Sequence, residues 1–167
     1  MTKNNELWMA ARQVVAGSKL ALLATADATG WPHCTWMNVE VDAYLEEIFA
    51  ITAPTSQKAA NVRANPRAEW MFATAPMETV VYLSGPTRVV EGEEVKAYWD
   101  AIPGKAHAFY RQYCDSDDFR KFAVILTKIE KIVYCRTPGY RKTVVAGMPA
   151  ASGFREAAPK LSDSSPA

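Results

Sequence analysis

Cysteine is scarce in this chain: among 167 residues there are three, Cys34, Cys114 and Cys135. They are widely spaced, no Cys-x-x-Cys occurs, and an odd number makes a poor disulfide framework. Reduced thiols, wholly or partly buried, are expected. Histidine is scarcer still, with two residues, His33 and His107. Neither stands at metal-type spacing from a cysteine or carboxylate, so no metal site is expected. No apolar run is long enough to span a bilayer, and no membrane partner is expected. The N-terminus, MTKNNELWMAARQ, is polar and lacks the apolar stretch of a signal peptide, so a cytoplasmic location is expected. Neither sign of charge is in excess, the formal net charge being +1. Without a basic stripe, nucleic acid is not expected as a partner. No internal repeat is visible.

What is present is enough for one domain with a real core. Asn5 to Ala16 places Leu7, Ala11, Val14 and Val15 at helical spacing, with Gly17 as a stop. Lys19 to Thr25 reads as a strand. Asp27-Ala28-Thr29-Gly30 is a turn, and Trp31 to Val41 reads as the second strand of a hairpin. Its alternation sets Trp31, His33, Thr35, Met37 and Val39 on one face and Cys34, Trp36 and Asn38 on the other. Ile48 to Thr52 is a short strand. Ser56 to Ala64 is a helix closed by Asn65-Pro66, since proline disfavours helix in the residue before it. Ala68 to Ala73 and Thr79 to Glu91 are strands, the second expected to bend at Gly85-Pro86. Glu93 to Ala101 and His107 to Tyr113 read as helices. Lys121 to Arg136 holds a last strand pair or one long bent strand. Residues 1–148 form the expected domain, and 149–167 have the composition of a disordered tail.

About six strands with mostly short links, and one small helix between the third and fourth, do not fit parallel βαβ units. The class expected is mainly β (α+β), an antiparallel barrel with peripheral helices.

The stretch ITAPTSQKAANVRANP gathers Thr52, Ser56 and Lys58 at the mouth of a helix. A helix N-terminus has unpaired N–H groups and a partial positive charge, so it suits an anion. Ser56 can cap the helix or bind a phosphate oxygen, and Thr52 can point into the same gap. Lys58 sits at the positive end of the dipole, a mild conflict that a bound anion would resolve. An ordinary capped helix with a solvated lysine is the other reading. Arg63 reads as a solvated surface residue.

No catalytic dyad stands out. His33 and Cys34 are neighbours on a strand and point to opposite faces. Asp115, Asp117 and Asp118 beside Ser116 read as a solvated turn that caps the segment at Phe119. Trp99 lies near Tyr98, Phe109 and Tyr110 in sequence, and such aromatics mostly pack.

The order LLATADATGWPHCTWM, FAITAPTSQKAANVRANPRAEWMF, VVYLSGPTRVVE resembles the FMN-binding split-barrel superfamily of pyridoxamine 5′-phosphate oxidase-like proteins. Within it the chain looks most like the general stress protein 26 type. The features that carry the likeness are LATAD followed by GWPH, the spacing T-x-x-x-S-x-K from Thr52 to Lys58, and NVRANPRAEWMF directly after. The resemblance implies a six-stranded antiparallel split β-barrel with peripheral helices. It implies a homodimer with FMN in a groove between subunits, and a flavin-dependent oxidoreductase acting on a small-molecule substrate or electron donor. Non-catalytic flavin binding, as in a stress protein, and a deazaflavin or haem on the same fold are the alternatives. By the same resemblance, Cys34, Thr35, Trp36 and Met37 would lie beside the isoalloxazine. Thr52, Ser56, Gln57 and Lys58 would hold the phosphate, the partner would add residues from the strands of Trp70 and Val80, and Trp99 would cover the flavin edge. For Trp36 and Met37, core packing is the competing reading. The oxidase proper carries arginine at the positions of Thr35 and Gln57, and its C-terminal substrate motif is not visible. True pyridoxamine phosphate oxidase activity is therefore not expected.

Overall fold

Alternating apolar and polar residues mark the inward face of the strand Arg67–Ala73, where Ala68, Trp70 and Phe72 are buried, whereas the strand Leu20–Ala26 is apolar at nearly every position. The computed structural model describes residues 3–114 and 116–145. Helix α1 (Lys3–Ala16) precedes a hairpin of β1 (Leu20–Ala26) and β2 (Pro32–Asn38). The short β3 (Glu40–Val41) continues the line of β2 and leads by a loop to β4 (Glu47–Thr52). Next come α2 (Gln57–Ala64), β5 (Arg67–Ala73) and the long β6 (Thr79–Val90). Helices α3 (Val95–Ala101) and α4 (Gly104–Cys114) stand between β6 and the last strands, β7 (Ala123–Lys128), β8 (Lys131–Arg136) and β9 (Arg141–Val145). The expected tail, 149–167, lies outside the described residues, as does Asp115 of the acidic cluster. Asp118 does cap the short 3-10 turn at Phe119, accepting from the Arg120 N–H at 3.0 Å.

The strands join in one antiparallel sheet in the order β2-β1-β5-β6-β7-β4-β3, with β8 beside β6 and β9 beside β8. Strand β6 serves two neighbours along one edge. Thr79 to Ser84 pair with β8, and Thr87 to Val90 pair with β7. Between these ladders Gly85 and Pro86 face Lys128, Ile129 and Glu130, so the β7–β8 side carries an extra residue and the strands bend together. The backbones approach so closely that a Cβ on Gly85 would stand 1.9 Å from the Lys128 carbonyl oxygen. The amides at the bend are still satisfied: Ile129 N–H donates to Glu46 at 2.7 Å and Glu130 N–H to Ser84 at 3.0 Å.

With β2–β3 and β7–β8 each counted as one bent strand, six strands form the curled barrel, as expected. Strand β9 is an addition that sequence reading missed. Its only local signal is the turn Pro138-Gly139 before Thr143-Val144-Val145, with Gly139 at φ +96°.

Inward side chains of β1, β5, β6 and β8, including Leu23, Trp70, Phe72, Val81, Leu83 and Ile132, form the main core. Helix α1 closes it with Ala11 and Val15, and α2 with Ala59 and Val62. Strands β4 and β7 are buried on both faces, because α3 and α4 cover their outer side with Tyr98, Trp99 and Tyr110. That explains the unbroken apolar run Phe122 to Leu126. Among the described residues no helix is long and apolar enough to cross a membrane.

The opposite face of the β2-β1-β5-β6-β8-β9 region carries one row in register: Trp36, Leu22, Met71, Tyr82, Val133 and Val144. Residues directly opposite in antiparallel strands share a face, so this row forms a continuous apolar band. Trp36 is 64% and Val144 61% exposed at its two ends.

Gly85→Ala drives a methyl into backbone that cannot swing away. The substitution is expected to cost about 3 kcal/mol or more, the upper range for overpacking. Urea unfolding would measure it, and an unchanged midpoint would rule out the close approach.

Candidate functional site

Serine at a helix start satisfies one of the unpaired amides, and here it does so. Ser56 takes the N-cap position of α2 in extended conformation, and its Oγ accepts from the Ala59 N–H at 3.3 Å. The chain reaches it by a tight turn closed by the Ser56 N–H donating to the Ala53 carbonyl at 3.0 Å. Thr52, the last residue of β4, donates from Oγ1 to the Ser56 Oγ at 3.2 Å. The Lys58 ammonium folds back to the same hydroxyl of Thr52, at 3.4 Å. The three polar groups singled out from sequence thus converge beside the helix N-terminus. Burial lowers the pKa of Lys58, and no carboxylate counters it among the described residues. An anion placed here would relieve that cost.

Gln57 does not join the group. Its Nε2 donates along the helix to Asn61 Oδ1 at 2.7 Å. Asn61, fully buried, in turn donates to Thr25 Oγ1 at 3.0 Å. Asn65 Nδ2 donates to the carbonyls of Ala26, at 3.2 Å, and Asp27. These side chains moor α2 to the β1–β2 hairpin, and sequence reasoning passed over them. The available signal was polarity at inward positions: Thr25 continues the alternation of Ala21 and Leu23, and Asn61 lies between Ala59 and Val62.

Strand β2 lies across from this seat. Its extension β3 pairs with β4, Glu40 with Phe49 and Val41 with Ile48. Continued, that register would set Met37 level with Thr52, but the ladder ends at Glu40. Among the described residues β2 pairs with β1 alone, so its other edge has backbone donors and acceptors without a strand partner. The barrel is split here, between β2 and the α2 end of β4.

The pleat divides the residues expected along a flavin ring. Cys34 and Trp36 are exposed on the outer face. Thr35 is half-buried on the inner face, and Met37 is buried in the core, so packing holds for Met37 and not for Trp36. A flat ligand along β2 would meet the strand edge rather than all four side chains.

Besides Gln57, the placements of Trp70, Val80, Trp99 and Arg63 differ from expectation. Trp70 is 0% exposed and donates from Nε1 to Thr127 Oγ1 at 2.8 Å, deep in the barrel. Its ring is part of the core and unavailable to a ligand. Val80 points to the outer face but is buried within its own subunit, paired with Ala73 and Cys135 on either side. Trp99 is buried outside β7, stacked on Phe122 with centroids 4.8 Å apart and edge-on to His107 at 4.7 Å. It fastens α3 and α4 to the sheet rather than covering a groove. Arg63 is also not simply solvated: it donates to the Pro54 carbonyl at 3.1 Å and pairs with Glu91 at 2.8 Å.

At the hairpin mouth Asp27 organises the turn. Its Oδ1 accepts from the Thr29 hydroxyl at 2.7 Å, the Thr29 N–H at 2.8 Å and the Trp31 N–H at 3.0 Å. Its Oδ2 meets His33 Nε2 at 3.2 Å. The Thr29 hydroxyl first, then His33 and the Trp31 amide, hold the carboxyl well below the usual carboxylate range.

The family model described as pyridoxamine 5′-phosphate oxidase matches residues 7–136. No curated protein matches. Among solved structures, a protein of Clostridium acetobutylicum related to general stress protein 26 of B. subtilis is 14% identical, with TM-score 0.68, over 86% of this chain and 95% of its own. A heme binding protein from Mycobacterium smegmatis is 20% identical, with TM-score 0.65, over 88% of this chain and 59% of its own. An FMN binding protein of Nostoc punctiforme, related to pyridoxamine 5′-phosphate oxidase, is 14% identical, with TM-score 0.60, over 87% and 94%. At these identities the likeness concerns the fold.

Because the folded Asp27 ionises more readily than an unfolded aspartate, its bonds stabilise the protein above the unfolded pKa of about 3.9. That contribution is lost as pH falls through the depressed folded value. Asp27→Asn should lower the urea midpoint at neutral pH and converge with the unmutated protein at the acid extreme. A difference that stayed constant down to the acid extreme would contradict the assignment.

Proposed function

The chain belongs to the pyridoxamine 5′-phosphate oxidase family, and from that premise we propose that it is a flavin-binding oxidoreductase that holds FMN in the split between β2 and the N-terminus of α2. The observation that carries this reading is the convergence of Thr52, Ser56 and Lys58 at one helix end, with a partly buried ammonium that no carboxylate answers among the described residues. The donor set suits a phosphate: an ammonium, hydroxyls and the remaining free amides of the helix. Bound flavin would supply the hydride or electron chemistry. The protein's own part is then binding and orientation. Lys58 and the hydroxyls would hold the phosphate, and the unpaired edge of β2 would hydrogen-bond the ring. That division of labour fits the absence of an acid–base pair at the seat among the described residues. With Thr35 neutral and Gln57 turned to Asn61, the seat rests on a single cation.

The reading includes a homodimer. The apolar row from Trp36 to Val144 crosses six strands, with Trp36 and Val144 exposed at its ends, Leu22, Met71 and Tyr82 half-buried and Val133 buried between them. Patches of this kind mark association surfaces, and a twofold arrangement would let one face cover its own copy. Light scattering should give a mass near twice 18.4 kDa, and Val144→Glu should shift the protein toward monomer. A monomer at micromolar concentration in the unmutated protein would remove both the dimer and a shared groove.

Spectroscopy of protein purified without added cofactor tests the cofactor. Flavin absorbance supports the proposal, a Soret band would replace it with haem, and turnover with a nicotinamide donor would separate an oxidoreductase from a flavin store. A colourless sample would be titrated with FMN and then with a deazaflavin. Lys58→Ala should weaken FMN by about 1.5–3 kcal/mol, roughly ten- to a hundredfold in Kd, and leave riboflavin unchanged. Equal losses for both ligands would place Lys58 away from the phosphate.

A further inference from the structure

The turn that presents Ser56 and Thr52 has little packing of its own. Ala53 and Thr55 are exposed, and the turn is closed by the bond from Ser56 N–H to the Ala53 carbonyl. Pro54 fixes one backbone angle at its second position. Its carbonyl is taken by Arg63 Nη1 at 3.1 Å, from further along α2. The second arm of the same guanidinium, Nη2, donates at 2.8 Å to Glu91, the residue after β6. One planar fork therefore joins the turn, the helix and the sheet.

We infer that Arg63, anchored by Glu91, is a positioning residue for the Ala53–Ser56 turn and through it for the phosphate seat, an inference that rests on the function proposed above. Arg63 touches neither the hydroxyls nor Lys58. It acts on the backbone that aims them. The fork matters more than the charge, because an ammonium is a compact point charge that cannot reproduce two divergent planar bonds. Exposed ion pairs contribute little to global stability, so the effect should be on geometry and not on melting.

Hydrogen exchange on the unliganded protein reads the clamp directly. In Arg63→Ala the Ser56 and Ala59 amides should exchange several-fold faster, while Tm stays within a few degrees. FMN should bind about three- to tenfold more weakly, as for a phosphate contact loosened rather than removed, and riboflavin should be unaffected. Arg63→Lys should behave like the alanine variant. Glu91→Gln, which keeps an acceptor for Nη2, should lie between the alanine variant and the unmutated protein. Unchanged exchange at Ser56 would overturn the inference, as would equal weakening of FMN and riboflavin, or full rescue by lysine. Faster exchange in a protein that, unmutated, does not distinguish FMN from riboflavin would uphold the clamp on the turn and defeat the phosphate reading.

Discussion

The close approach of β6 to the β7–β8 strand at Gly85 is the constraint on which the architecture depends. A strand can pair with one neighbour along each edge. Here β6 changes neighbour partway, from β8 to β7, and the bend lets one sheet curl into a barrel. A side chain at Gly85 would strike the Lys128 carbonyl, so the bend requires glycine for its space rather than for a special backbone angle. Pro86 follows where a ladder hydrogen bond is already lost. Just beyond, Thr87 and Thr127 share a hydrogen bond at 2.8 Å, and Thr127 accepts from Trp70. The interior near the bend is therefore tied by satisfied polar groups and not by apolar packing alone.

The split follows from the same curling. The line of β2 and β3 is fastened to β4 at one end and free of it at the other. Helix α2 fills the opening from the inside with Ala59 and Val62, and is moored to the hairpin through Asn61 and Asn65. Its N-terminus is thereby held at the free end of the split. A helix end, a lysine and two hydroxyls are ordinary in sequence. Their placement at an unpaired strand edge is what gives them a common direction.

Electrostatics divides the two carboxylate and ammonium sites near the split. Asp27 is surrounded by donors and its charge is well compensated at the hairpin. Lys58 is partly buried, its charge disfavoured, and among the described residues its hydrogen-bond partner is a neutral hydroxyl. The first arrangement carries its own compensation, and the second carries a desolvation cost. The cap made by Ser56 would exist in either reading of the stretch, so the lysine alone separates a phosphate seat from a plain capped helix.

The local elements were legible along the chain. Alternation sorted β2 into two faces, Ser56 and Asn65-Pro66 bounded α2, and Gly85-Pro86 announced the bend, because each depends on residues within a turn or two of one another. The convergence of Thr52, Ser56 and Lys58 was legible for the same reason, since they lie within seven residues. The long-range partner of each group depended on the folded arrangement. Trp70 stands among the residues that the resemblance assigns to the groove, until Thr127 is placed beside it in the core. Trp99 reads as packing by composition and as a flavin cover by resemblance, until Phe122 and His107 close on it. Arg63 reads as solvated until β6 brings Glu91 to its fork. Strand β9 pairs only because β8 offers an edge, which a charged five-residue segment does not announce. The apolar row from Trp36 to Val144 likewise exists only once register aligns six separate strands. Pattern along a chain fixes which way a side chain points, whereas register and curvature of the sheet fix what it meets.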